Sequence, residues 1–177
     1  AKPAAAVPEA SASVLPDAVD APAATPQPVL PAVPESRSFD ADAPILLNDG
    51  GEESTVSVQE FLIGTAACEL PPDWPDDAVL AQMAAAHSYA LSLGGAAFTC
   101  NSAQCAGWTS AEVLRARWGG DFAAYYSRLA ALADEVSGAV LCWDGAPAAA
   151  CYHSSSAGQT EASQNVWLTA VPYLQGV

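Results

Sequence analysis

One carboxylate has the surroundings expected of a catalytic acid: Glu69, in the apolar run Ala67-Cys68-Glu69-Leu70-Pro71. It closes a predicted helix just before a proline break. Apolar neighbours disfavour the charged form of a carboxyl group and raise its pKa towards the range that general acid catalysis uses. The alternative is a surface glutamate at a helix end, and the local pattern alone favours that alternative.

A loop rich in hydroxyl and amide groups, residues 154–161, is the second candidate. Such groups form hydrogen bonds with sugar hydroxyls, and the neighbouring aromatic rings offer faces on which sugars stack. A flexible surface loop is the alternative. A serine hydrolase is disfavoured, because His153 directly precedes the serines and no nucleophile elbow is present. The residues concerned are Ser154, Ser155, Gln159, Thr160 and Glu161, with Tyr152, Trp167 and Tyr173 as the aromatic neighbours.

Two cysteines, Cys100 and Cys105, form the third candidate in a predicted loop over residues 98–108. Half a zinc site, a small-loop disulfide and two buried thiols all fit their spacing. A zinc site needs about four ligands, and the only imidazoles are those of His87 and His153. A disulfide is at least as well supported in an exported protein. The chain has five cysteines, so at least one has no partner within it.

The strands and helices that must position these residues indicate an α+β fold without internal repeats. Two β-hairpins are predicted, one from residues 44–47 and 54–58 and one from residues 139–143 and 147–153. Hydrophobic spacing predicts four helices, of which the Ala-rich one over 78–91 is the core helix. Asp73, Ser110 and Asp121 are predicted to begin helices as N-caps. The predicted helices cover residues 59–66, 78–91, 110–118 and 121–137.

Composition divides the chain into a linker, residues 1–43, and a folded domain, residues 44–177. Nine of the fourteen prolines lie in residues 1–44. Residues 1–44 also contain too few large apolar groups to offset the entropy lost on ordering, so a disordered Pro/Ala-rich linker is predicted. The chain does not begin with Met, and no apolar run is long enough to span a membrane. We therefore expect an exported, extracytoplasmic protein whose membrane anchor lies in a segment missing from this chain.

The net charge of −15 limits the range of binding partners. No Lys or Arg occurs between Arg37 and Arg115. Neutralising a phosphate backbone or an anionic lipid surface requires clustered basic residues, so nucleic acids and such membranes are poor candidates. A neutral sugar or a glycan without peptides is compatible with this charge.

Three ordered signatures resemble the SpoIID/LytB family, the stage II sporulation protein D group. A Val-x-x-Glu-Met-Pro stretch and the Ala-rich helix after it are matched by residues 67–71 and 78–90. A Tyr-x-Ser-Ser-x-Gly-x-Thr-Glu stretch is matched by residues 152–161. Val-Trp followed by Pro-Tyr-Leu is matched by residues 166–167 and 172–174. Three signatures in order are more specific than any one of them.

The resemblance implies a peptidoglycan lytic transglycosylase acting in cell-wall remodelling during sporulation. Such enzymes cleave the MurNAc–GlcNAc β-1,4 bond without water and leave 1,6-anhydro-MurNAc. Ordinary glycosidases need a second carboxylate, whereas here the 6-hydroxyl of the sugar closes on the anomeric carbon, and one glutamate suffices. By this resemblance Glu69 is the catalytic residue. The residues expected to contact substrate are Tyr89, Tyr152, Ser154, Ser155, Gln159, Thr160, Glu161 and Trp167. The expected partners are peptide-stripped glycan strands and a cell-wall amidase.

Several departures from the family pattern bear on activity. Leu80 and His87 stand where the family helix has Lys and Arg, and activity would be weakened or altered if either position contacts substrate. No cofactor is required. Cys100 and Cys105 resemble part of the zinc arrangement of some members, but their loop has no histidine. The family domain continues beyond Pro-Tyr-Leu, so residues 44–177 are expected to be its N-terminal part. A non-catalytic wall-binding or amidase-enhancing relative is the main alternative, and an interaction domain without a sugar site is the third.

Overall fold

A computed structural model describes residues 39–177 of the chain. The predicted linker therefore lies outside the described residues as far as residue 38. Ala41, which falls within the predicted linker, is buried.

The first hairpin forms where the sequence predicts it. Strand β1 (Ile45–Asp49) pairs antiparallel with β2 (Glu52–Val56). The turn between them uses positive φ angles at Gly50 and Gly51, which glycine adopts without steric cost. Asn48 Oδ1 accepts a hydrogen bond from the Gly51 amide at 2.9 Å. The fold class and this hairpin are confirmed.

A third strand joins this sheet. Strand β3 (Phe98–Cys100) runs parallel to β1, with Leu47 opposite Phe98, and the strand order is β2-β1-β3. The prediction of a loop over residues 98–108 is therefore wrong for its first three residues. Three residues carry too little alternation to indicate a strand, and the pairing depends on a strand about fifty residues earlier in the chain.

Two apolar helices form the centre of the core. Helix α1 (Val58–Glu69) begins with a capping box between Ser57 and Glu60, and helix α2 (Asp76–Ser92) follows after a short connection. The first helix extends three residues beyond the predicted 59–66. The prediction of Asp73 as the cap of α2 is wrong: Pro75 occupies the N-cap position, with a non-helical ψ of 142°, and the helix begins at Asp76.

Two further helices pack on this core. Helix α3 (Ala111–Trp118) begins at Ser110, whose hydroxyl accepts a hydrogen bond from the Val113 amide, as predicted. Helix α4 (Phe122–Val136) begins at Asp121, but that side chain makes no capping bond. A capping side chain needs extended backbone, whereas Asp121 has φ −84° and ψ −7° after a 3₁₀ turn.

The last part of the chain has little regular structure. Strands β4 (Cys142–Trp143) and β5 (Ala146–Pro147) form the second hairpin, confirmed although shorter than predicted. Helix α5 (Ser163–Trp167) has a single turn. The Leu141 amide donates a hydrogen bond to Ser88 Oγ at 2.8 Å, which attaches this segment to α2. Within the segment, the Ala149 amide donates to Tyr173 Oη at 3.0 Å. Within residues 39–177, no helix is long and apolar enough to cross a bilayer.

Candidate active site

Glu69 is the last residue of α1. The next residue, Leu70, is extended (φ −126°, ψ 147°), and its amide still donates to the Ala66 carbonyl at 2.9 Å. Pro71 then prevents the helix from continuing. This abrupt end leaves Glu69 exposed, so the described residues do not provide the apolar enclosure expected from its sequence neighbours.

An open cleft of about 370 Å³ lies beside Glu69. One wall is the face of α2 that carries alanines at positions 78, 81 and 85, spaced at one helical turn. Short side chains at these positions leave space beside the helix, while Trp74 adds an aromatic surface. The cleft is lined by Glu69, Leu70, Trp74, Ala78, Ala81, Gln82, Ala85, Tyr152, His153 and Ser154. The start of the 154–161 loop therefore lies at the Glu69 cleft.

Tyr152 reaches Glu69 from the far end of the chain. Partial burial raises the pKa of the Tyr152 phenol, the negative charge of Glu69 raises it further, and a contact with Gln82 lowers it. The phenol is therefore protonated at neutral pH and can donate a hydrogen bond to a carboxylate. Glu69, Gln82 and Tyr152 form a polar group, here called the cleft triad, beside the apolar wall that α2 gives the cleft.

Gln82 is a member of this triad that the sequence analysis did not single out as a site residue. Its buried Nε2 atom is near enough to the Tyr152 phenol to lower that pKa, but it meets hydrogen-bond geometry with neither Tyr152 nor any other described residue. A buried donor without a partner is destabilising unless a ligand supplies an acceptor. The sequence does carry a signal for it, since Gln82 is an amide on a helix face that otherwise presents alanine.

A second cavity, of about 400 Å³, adjoins the first and shares Tyr152 and His153 with it. Its lining includes Thr160, Glu161 and Trp167. The Thr160 amide donates to the Val177 carbonyl, and the Ser163 amide to that of Leu174, both at 2.8 Å. The C-terminal residues thus hold the loop that carries Thr160 and Glu161. The two cavities therefore share a wall at Tyr152 and His153, and together they are called the groove below.

Three of the predicted substrate-contacting residues line neither cavity. Ser155 and Gln159 lie on the exposed part of the loop. Tyr89 is on α2, where its ring packs edge-on against Phe98 at a centroid distance of 6.2 Å. The structure therefore brings together Glu69, Tyr152 and Ser154 in one cavity, and Tyr152, Thr160, Glu161 and Trp167 in the other.

The two positions that replace basic residues of the family helix lie away from the groove. His87 is fully buried, and burial lowers its pKa, opposed in part by the backbone of Ala139 and Ala41 and by the charge of Asp42. Leu80 packs against the core. Neither side chain lines either of the two cavities.

Arg128 on α4 fixes the connection between α1 and α2. Its guanidinium donates to the carbonyl oxygens of Pro72 and Trp74 and forms an ion pair with Asp76. Carbonyl groups in a short loop need such partners. These bonds hold the backbone of Trp74, the aromatic residue in the wall of the cleft.

The cysteines are arranged differently from the sequence-based alternatives. Cys100 is buried in β3, whereas the Cys105 sulfur lies 2.6 Å from that of Cys68. Between residues 39 and 177, no three His, Cys, Asp or Glu side chains are placed to hold one metal ion. A tetrahedral zinc site needs about four ligands, so Cys100 and Cys105 do not fit the half-site considered above.

The comparison with known families supports a specific assignment. The family described as "Stage II sporulation protein" (SpoIID) matches residues 51–143, which include α1 to α4 and Glu69. This match covers more than half of the chain.

Curated relatives carry consistent names. Stage II sporulation protein D of Bacillus amyloliquefaciens is 24% identical over 82% of this chain, and that of Bacillus subtilis (strain 168) is 28% identical over 69%. The amidase enhancer of Bacillus subtilis is 32% identical over 64%. The matched regions cover 45%, 38% and 14% of these relatives, so the chain spans less than half of each. The protein belongs to the SpoIID family.

Proposed function

We propose that this domain is a peptidoglycan lytic transglycosylase in which Glu69 is the only catalytic carboxylate. The observation that supports it best is the cleft triad, which combines a carboxylate, a phenol and an unpartnered amide donor in one open cleft. Clefts of about 300–1,000 Å³ with a few convergent polar groups are typical of ligand sites.

In the proposed reaction, the Glu69 carboxyl group first protonates the glycosidic oxygen between MurNAc and GlcNAc. The bond from that oxygen to the anomeric carbon breaks, and GlcNAc leaves with a free 4-hydroxyl. The 6-hydroxyl of the same MurNAc then bonds to the anomeric carbon, and the Glu69 carboxylate accepts its proton. No water is consumed, and Glu69 returns to its protonated form.

The surroundings of Glu69 fit a sugar chain. Trp74 and the alanine face of α2 offer apolar surface for the faces of sugar rings, while Gln82 and Ser154 offer hydrogen bonds to hydroxyl groups. The groove continues past Tyr152 to Trp167, which is 56% exposed and available for stacking. The net charge of −15 favours uncharged glycan over phosphate-rich polymers.

The full chain incubated with peptide-free glycan strands tests the proposal. We expect 1,6-anhydro-MurNAc ends, detected by mass spectrometry, from the wild type and none from Glu69→Gln, which keeps the shape but cannot transfer a proton. The matched control is Glu112→Gln, the same change at an exposed position in the first turn of α3. Product from Glu69→Gln, or none from a wild type that still retains glycan, would contradict the proposal.

A second candidate function is wall binding without turnover. The relative that favours it is named amidase enhancer, and the exposure of Glu69 is compatible with it. This alternative predicts that wild type and Glu69→Gln bind glycan equally and that both increase release of stem peptides by a cell-wall amidase. Under either function we place the protein outside the cytoplasm, with peptidoglycan as its partner, in cell-wall remodelling during sporulation.

A further inference from the structure

Two thiols from distant parts of the chain lie close together next to Glu69. Cys68 immediately precedes Glu69 in the last turn of α1, and Cys105 follows the 3₁₀ turn Ser102–Gln104. Their sulfur atoms lie 2.6 Å apart, and both residues are only partly buried. The sulfurs are within reach of the bond of about 2.0 Å that joins a disulfide.

The backbone around Cys105 is already held in position. Asn101 and Ala106 exchange hydrogen bonds of 2.9 and 3.0 Å, which close the loop that carries Cys105. The Ser102 amide donates to Asp49 Oδ1 at 2.9 Å, and this attaches the loop to the end of β1. These bonds hold the loop in the position that brings the Cys105 sulfur next to that of Cys68.

We propose that Cys68 and Cys105 are a disulfide site that joins the end of α1, and thus the backbone next to Glu69, to the loop after β3. The other described cysteines lack such a partner. Cys100 is buried in the sheet. Cys142 and Cys151 are exposed, and the β4–β5 register places Pro147, not Cys151, opposite Cys142. This inference does not depend on the proposed activity.

Oxidation proceeds by exchange with a small disulfide such as oxidised glutathione. The Cys105 thiolate attacks one glutathione sulfur and releases glutathione thiolate, and Cys68 then attacks the Cys105 sulfur and releases the second glutathione. One external disulfide is reduced to two thiols as the protein dithiol becomes a disulfide, and the two protein protons pass to the leaving thiolates. Arg117 Nη1 donates to Cys105 Sγ at 3.1 Å, which places a cation beside the attacking sulfur.

A bond here closes a chain segment that contains all of α2 and β3. Such a constraint reduces the entropy of the unfolded chain. We expect the oxidised protein to melt on the order of 10 °C above the reduced one.

Peptide mapping of the full chain after incubation with oxidised glutathione tests this inference. Free thiols are blocked with iodoacetamide, and the chain is cut after glutamate. Such cuts separate Cys68, in residues 61–69, from Cys105, in residues 70–112. We expect a linked pair of these peptides that separates on reduction, with Cys100 alkylated in fragment spectra. Trypsin is unsuitable, because Arg37 and Arg115 bound one peptide with all three cysteines.

Variants identify the partners. Cys105→Ser should abolish the linked peptide and the melting difference, whereas Cys100→Ser and Cys142→Ser should keep both. Alkylation of all five cysteines after the glutathione treatment would overturn the inference, as would a link from Cys68 to any cysteine other than Cys105. Because the wild type is compared with its own reduced form, the result does not depend on whether Cys105→Ser folds.

Discussion

The Tyr152 phenol lies close enough to the Glu69 carboxylate for that charge to raise its pKa, although Glu69 ends the first helix and Tyr152 follows the last hairpin. A protonated phenol beside a carboxylate can orient it by donating a hydrogen bond. Glu69 is otherwise exposed at the end of its helix, so Tyr152 supplies a contact that the helix itself does not.

Replacing Tyr152 with Phe should lower the formation of anhydro-MurNAc on the order of tenfold or more, because a hydrogen bond to a charged group is lost. The pH dependence of the reaction should also shift, since the phenol no longer contacts Glu69. Tyr125→Phe is the matched control: Tyr125, on α4, packs against Trp118 at the end of α3 and does not line the cleft. An unchanged rate and pH profile in Tyr152→Phe would exclude a role in orienting Glu69.

Replacing Gln82 with Leu should separate stability from function. The Nε2 donor is buried without a partner among the described residues, so removing it should leave the melting temperature unchanged or raise it. Binding of glycan should weaken, because the donor available to substrate is gone. Differential scanning fluorimetry and glycan pull-down measure the two effects. A large fall in stability would indicate a structural role for this amide instead.

Gly64 allows α1 to pack closely against the segment before α3. A Cβ atom at this position would overlap Trp108 Nε1 and the Thr109 carbonyl oxygen. Helix propensity alone favours Ala by about 1 kcal/mol, but this overlap should dominate. We expect Gly64→Ala to reduce the free energy of unfolding by at least about 2 kcal/mol in urea titrations. Gly120→Ala, where a Cβ meets open space, should change it by less than about 0.5 kcal/mol.

His87 should make the fold sensitive to mild acid. Its pKa in the folded state is lowered by burial, so the unfolded chain binds a proton more readily than the native one. The contribution of His87 to the free energy of unfolding is therefore neutral above the unfolded-state pKa of about 6.5. It becomes destabilising as the pH falls below that value. Melting temperatures at pH 7.5 and 5.0 should differ more for wild type than for His87→Leu. His153→Gln, a change at an exposed histidine, should retain the wild-type difference.

Local signals in the sequence were sufficient for much of the fold. Asn48 and the two glycines after it predict the first turn, Ser110 predicts the start of α3, and Pro71 predicts the end of α1 just beyond Glu69. Each of these depends on residues within about four positions of one another, so the signal is readable in the local sequence. Asp73 is not the cap of α2, and Asp121 begins α4 without a capping bond, because capping also depends on backbone angles, which neighbouring segments determine.

Residue types and their spacing indicate the class of the fold, the position of Glu69 at a helix end and, through three ordered signatures, the family. Other relationships become visible only in the folded chain: β3 pairs with β1, Cys105 lies against Cys68 and not Cys100, His87 lies in the core, and Gln82 and Tyr152 converge on Glu69. These relationships join residues far apart in the chain. They follow from how the helices and the sheet pack to bury their shared apolar surface, and no local pattern encodes that packing.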